Sequence, residues 1–143
     1  MTHLLDTNIV IRAANPHDPM HSHIGAALAQ FTKNAVELCI TRQNLYEFWV
    51  AATRPADVNG MGITSIEARR FVEELRASCI LIPDPPDLLE GWLDLCTSFA
   101  VRGRPAHDAR LVACMQGNGI SHLVTLNPGD FARYPGIECI VPI

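Results

Sequence analysis

Lysine is nearly missing from this 143-residue sequence: of eleven basic residues only Lys33 is not arginine. The net charge is −4, so the chain lacks the positive excess with which a protein coats nucleic acid by bulk electrostatics. Its basic character sits in a side chain that grips phosphate bidentately, where lysine is a point charge. A genome biased toward arginine codons explains the same count. Cys-x-x-Cys pairs are absent, and the five cysteines (Cys39, Cys79, Cys96, Cys114, Cys139) are odd in number. Three lie in apolar, strand-like runs and read as small buried hydrophobes of a reducing compartment, which argues against a disulfide framework or a zinc site. No apolar run approaches the ~20 residues that span a bilayer, and no basic stretch followed by a long apolar one opens the chain. A cytoplasmic protein without membrane attachment is the expectation. Internal repeats and low-complexity tracts are also missing. What remains, 48% hydrophobic and 18% charged residues, is an ordinary globular composition expected to bury one core in one domain, residues 1–143.

Short β-branched or leucine-rich runs alternate with helical patterns. THLL, ELCIT, CILIP, SHLVTL and IECIVPI read as five strands. Between them, HSHIGAALAQFT carries Ile24, Leu28 and Phe31 on one face, and RQNLYEFWVAAT carries Leu45, Phe48, Trp49 and Ala52 on one side. RPADVNGMGIT is punctuated as a loop, and Thr64-Ser65-Ile66-Glu67 matches a capping box opening SIEARRFVEELRA. Asp84-Pro85-Pro86 starts a helix over DLLEGWLDLCTSFAV, and HDARLVACMQ is a further helix stopped by Gly117-Asn118-Gly119. The alternation predicts an α/β fold with a mainly parallel sheet. In such sheets ligands bind beyond the carboxyl ends of the strands, where strand order reverses.

Four acids stand at those ends. Asp6 breaks an apolar context directly after the first strand, and Glu47 lies in the helix after the second. Asp108 opens the helix before the fourth strand, and Asp130 follows that strand in TLNPGDF. Each has an ordinary explanation: Asp6 as a helix cap, Asp108 as a complement to a helix dipole, Asp130 as a turn residue, Glu47 as a solvated helix residue. Together they are harder to explain. Two carboxylates roughly 6 Å apart repel by about 2.8 kcal/mol at an effective dielectric of 20, so four in one pocket call for a cation. Mg²⁺ and Mn²⁺ take oxygen ligands, commonly alongside substrate phosphates, and such ions activate water for phosphodiester hydrolysis.

The segments LLDTNIVI, TRQNLYEFWVAATRP, VNGMGIT, AHDARLVA and LVTLNPGDFARYPGIECI resemble, in order and over nearly the whole chain, the motifs of PIN-domain proteins of the VapC toxin type. The resemblance implies a compact α/β/α sandwich, a metal-dependent endoribonuclease, a homodimer, and a VapB-like antitoxin whose tail plugs the acidic site. It makes Asp6 the first metal ligand, Glu47 the helix glutamate and Asp108 the third acid. Many PIN domains place an aspartate where this chain has Asn127, and Asp130 matches an acid of this subgroup. Asn127 is then a holder of water or phosphate and Asp130 the charge. Products with a 5′-phosphate and a 3′-hydroxyl are implied as well.

Around the acids, Thr7, Asn8 and Thr125 are candidates to orient them, with plain helix capping by Thr7 or Asn8 an equal alternative. Arg12, Arg42, Arg54, Arg104 and Arg110 lie near the motifs, and Arg54 and Arg110 are selected as RNA-backbone contacts. His17, His21 and His23 lack further ligands for a metal and read as helix surface, as does His107. Phe48, Trp49 and Trp92 read as core. Two other functions fit part of the pattern. A phosphatase with Asp6 as covalent nucleophile expects an acid two residues on, where Asn8 stands; a non-catalytic RNA-binding PIN domain expects the acids to be lost.

Overall fold

The computed structural model describes residues 1–142, and in it the five apolar runs lie side by side in one sheet. The strands are β1 (Thr2–Leu5), β2 (Glu37–Ile40), β3 (Ile80–Leu81), β4 (His122–Val124) and β5 (Glu138–Ile140). Every pairing is parallel and the order is β3-β2-β1-β4-β5. Six helices connect and cover them: α1 (Thr7–Ala14), α2 (His21–Lys33), α3 (Arg42–Thr53), α4 (Ser65–Ser78), α5 (Leu88–Ser98) and α6 (Pro105–Gly117).

Successive strand residues point to opposite faces, so each central strand feeds two cores. Leu4, Cys39 and Leu123 face a layer containing Leu95, Leu111, Met115 and Phe131. Their neighbours Leu5, Ile40 and Val124 face Ile9, Val10, Ile24, Phe48 and Ala52 on the other side. A parallel sheet covered on both faces therefore has strands that are apolar throughout instead of alternating, as these are. Helix α6 is buried over most of its circumference, from Ala109 through Met115, and its packing on α5 holds the first turn of α6 in place. The Trp92 indole N–H donates to the Ala106 carbonyl at 2.8 Å, tying α5 to that turn.

Several boundaries differ from expectation. The run Ile9-Val10-Ile11, to which the apolar patterning assigns no element, lies in helix α1, the helix that the capping reading of Asp6 requires. β1 is the expected THLL, the other four strands are shorter than their apolar runs, and Ile143, the end of the expected fifth strand, lies outside the described residues. Helix α5 begins at Leu88, after the prolines, while α6 begins earlier than expected with Pro105 in its first turn, where no N–H is missed. Trp49 is not core: it is 38% exposed beside the fully buried Phe48. The five cysteines are free, and burial pushes the Cys39 thiol up to about 12 and the Cys114 thiol up to about 11, so both behave as hydrophobes. Among the described residues no helix is long and apolar enough to cross a membrane.

Candidate active site

Strand order reverses between β1 and β4, and the chain turns into its polar residues there. The Asp6 N–H donates to the Val124 carbonyl at 2.9 Å, which fixes the end of β1 against the end of β4. Asp6 is the N-cap of α1, with Oδ1 accepting the Thr7 N–H at 2.8 Å. Its Oδ2 accepts the hydroxyl of Thr125 at 2.7 Å. Helix capping and site carboxylate are thus one residue doing both. Thr125 is fully buried and also accepts the Asn127 N–H at 3.0 Å. Thr125→Val would leave both partners unsatisfied, and urea denaturation is expected to show a stability loss of about 1–3 kcal/mol.

A second chain of hydrogen bonds sets Glu47. The Thr7 hydroxyl donates to Glu47 Oε1 at 2.7 Å and accepts from Asn44 Nδ2 at 3.0 Å. Asn44 in turn closes a reciprocal capping box with Thr41, whose N–H it accepts at 2.8 Å. Both Thr41 and Asn44 are completely buried. The cap that starts α3 is therefore the same network that aims the glutamate.

Asp108 lies in the first turn of α6, and Asp130 in the 3-10 turn Pro128–Phe131, which the buried Phe131 ring anchors. Glu47, Asp108 and Asp130 share the walls of an open cavity of about 490 Å³ with Arg104, His107 and Arg133. Asp6 feels the same acids. Burial raises its pKa, the hydrogen bonds from Thr125 and Thr7 lower it, and Glu47 and Asp130 raise it again. The Asp108 carboxyl is pushed up to about 6, first by burial, then by Asp6, Asp130 and Glu47, with Arg104 opposing.

These four carboxylates are hard oxygen donors whose charges work against one another, and a divalent cation relieves that. Among the described residues no three His, Cys, Asp or Glu side chains already converge as ligands. Mg²⁺ does not require such a trio, since it keeps several waters and uses one or two carboxylates plus substrate oxygens. The donor set fits such an ion.

The other candidates divide. The Thr7 and Thr125 hydroxyls donate to Glu47 and Asp6 respectively. Asn8 does not: its Oδ1 is buried without a hydrogen-bond partner. Asn127 contributes its backbone N–H to Thr125 and stands at the mouth of the 3-10 turn. Arg54 is the C-cap of α3, where its Nη1 reaches the Asn59 carbonyl at 3.5 Å, away from the cavity. Arg110 is a clamp, donating to Gln43 Oε1 at 2.9 Å and pairing with Asp84 at 3.5 Å. Gln43 continues that clamp to the His107 carbonyl at 2.7 Å. His107 lines the cavity instead of plain surface. Sequence reasoning missed Arg133, Gln43, Thr41 and Asn44; the signal for the last two was Thr-x-x-Asn directly after the second strand.

Fold and site together define an α/β/α domain with an acid-walled cavity at the switch point of a parallel five-stranded sheet. A model of the PIN domain family matches residues 3–137, and the chain belongs to that family. Solved structures share the fold at low identity. VapBC2 of Rickettsia felis, bound to a DNA fragment from its promoter, is 18% identical with a TM-score of 0.74, covering 98% of each chain. A toxin–antitoxin complex from Klebsiella pneumoniae is 21% identical with a TM-score of 0.67, covering 99% of this chain and 98% of the other. Mycobacterium tuberculosis VapC20, a sarcin–ricin loop cleaving toxin, is 18% identical with a TM-score of 0.66, covering 85% of this chain and 86% of the other. No curated protein matches the chain in sequence.

Proposed function

We propose that the chain is a Mg²⁺- or Mn²⁺-dependent endoribonuclease, the toxin of a toxin–antitoxin pair, acting in the cytoplasm as a homodimer built from one domain per chain. The observation that carries this reading is the gathering of Asp6, Glu47, Asp108 and Asp130 from four separate elements around one switch point, with Asp6 and Glu47 held by buried threonines. These four residues would hold the metal, which when bound supplies an activated water and charge for the leaving oxygen. Thr125 and Thr7 keep the Asp6 carboxylate in one orientation, so none is lost to rotamer freedom when substrate arrives. Thr7 and Asn44 do the same for Glu47. Asp108, whose carboxyl is pushed up to about 6 without metal, would release its proton when a cation binds, so its hold on the metal would weaken at acid pH. An acidic cavity also suits a basic antitoxin segment, and a toxin–antitoxin complex is among the structures sharing the fold.

The test is cleavage of a mixed RNA pool by the purified protein with Mg²⁺ or Mn²⁺, against the same reaction in chelator. Metal-dependent internal cuts leaving 5′-phosphate ends are expected. RNA that stays intact with both ions, together with no Mn²⁺ binding by calorimetry, would overturn the reading.

A further inference from the structure

The cavity is not purely acidic, and the cations on its wall have a regular placement. Arg104 precedes Asp108 by four residues and Arg133 follows Asp130 by three, so each acid has an arginine about one helical turn away on its own segment. Both residues line the cavity, yet neither guanidinium makes an ion pair with any carboxylate among the described residues, whereas Arg12, Arg76 and Arg110 each do. Arg133 is steadied only by a long contact to the Phe99 carbonyl at 3.5 Å, and Arg104 lacks even that. The start of α6 offers no substitute donor for an anion. Pro105 has no N–H, and those of Ala106 and His107 are given to Gly103 and Arg104 carbonyls at 3.0 and 2.9 Å. The wall has no Phe, Tyr or Trp, and its one aromatic ring is that of His107.

We infer that Arg104 and Arg133 form a phosphate-binding subsite that holds backbone phosphates flanking the bond cut at the acids. The inference rests on the nuclease reading and names its substrate contact: a phosphodiester backbone gripped by guanidinium forks. Such a contact carries no sequence information, so discrimination among RNAs belongs to other surfaces of the chain.

The test uses fluorescence anisotropy of a short, mixed-sequence, single-stranded oligoribonucleotide with the full chain in chelator, where nothing is cut. Binding is followed from about 50 to about 200 mM salt. Each phosphate contact contributes about 0.7 to the slope of log affinity against log salt for a single strand. Arg104→Gln and Arg133→Gln should each lower the slope by about 0.7, and the pair by about 1.4, a roughly sevenfold difference in salt sensitivity over that range. Arg69→Gln with Arg70→Gln, exposed on α4 and away from the cavity, removes the same charge and should leave the slope in place. An unchanged slope in the Arg104/Arg133 pair, with or without a lowered melting temperature, overturns the subsite and leaves the arginines as screens for the acids. So does an equal fall in the α4 control, or a wild-type chain that binds no oligomer. A reduced slope in a protein that Mg²⁺ and Mn²⁺ never make cleave RNA would keep the subsite and remove the nuclease reading.

Discussion

Asp6→Asn is expected to lower metal-dependent RNA cleavage by about 10³-fold or more while the protein stays folded. The size follows from position. Asp6 is fixed at the end of β1 by a backbone bond to β4 and by side-chain bonds to Thr7 and Thr125. Folding should survive because asparagine is as good an N-cap as aspartate, and its Oδ1 still accepts the Thr7 N–H. The amide that replaces Oδ2 can donate to Thr125, whose hydroxyl has a second lone pair beyond the one used by Asn127. Loss of one charge from a group of four carboxylates offsets what that exchange costs. Initial rates on an RNA substrate, with a thermal melt of the same sample, give both readouts. Wild-type cleavage in the variant would remove Asp6 from the chemistry and with it the assignment of the site.

The acids were legible from sequence because parallel-sheet topology sends every strand end to one edge, so polar residues after apolar runs are automatically neighbours. The arginines were chosen by closeness to those motifs, and helix geometry shows why that failed. Arg110 lies two residues past Asp108, about 200° around α6, and so faces Gln43 and Asp84 instead of the cavity. Arg104, four residues before Asp108, returns to nearly the same face. Arg54 is on Glu47's side of α3 but seven residues on, roughly 10 Å further along the axis. Asn44, three residues before Glu47, is on the right side and one turn nearer the sheet edge, which is how a capping residue becomes part of the site. Helix geometry misplaces Trp49 too: one residue past Phe48 is about 100° away, enough to leave the core. Arg133 stands inside the last motif, three residues after Asp130, but only the turn after β4 shows that it returns to the cavity.

Asp108→Asn should make the metal-free protein more stable at neutral pH, even though it removes a residue of the proposed machinery. The Asp108 carboxyl is pushed up from 3.8 to about 6, with burial the largest cause and the three other acids next. A carboxyl whose pKa is raised by folding stabilises the folded state while it is protonated, below about pH 4, and that contribution is lost as pH rises through about 6. A shift of that size corresponds to at most about 3 kcal/mol, and solvent screening in an open cavity reduces it to about 1–2 kcal/mol. Wild-type protein in chelator is therefore expected to lose stability between about pH 4 and about pH 7, whereas Asp108→Asn is expected to lose less, the two curves meeting at the acid end. Adding Mn²⁺ at neutral pH should reverse the order: the wild type gains RT ln(1 + [L]/Kd), about 2.7 kcal/mol at a hundredfold excess over Kd, and the variant gains little. Denaturant melts across pH with and without metal would show the crossing. Parallel curves would mean that Asp108 carries no strain from its neighbours. A variant stabilised by Mn²⁺ as strongly as the wild type would mean that it holds no metal.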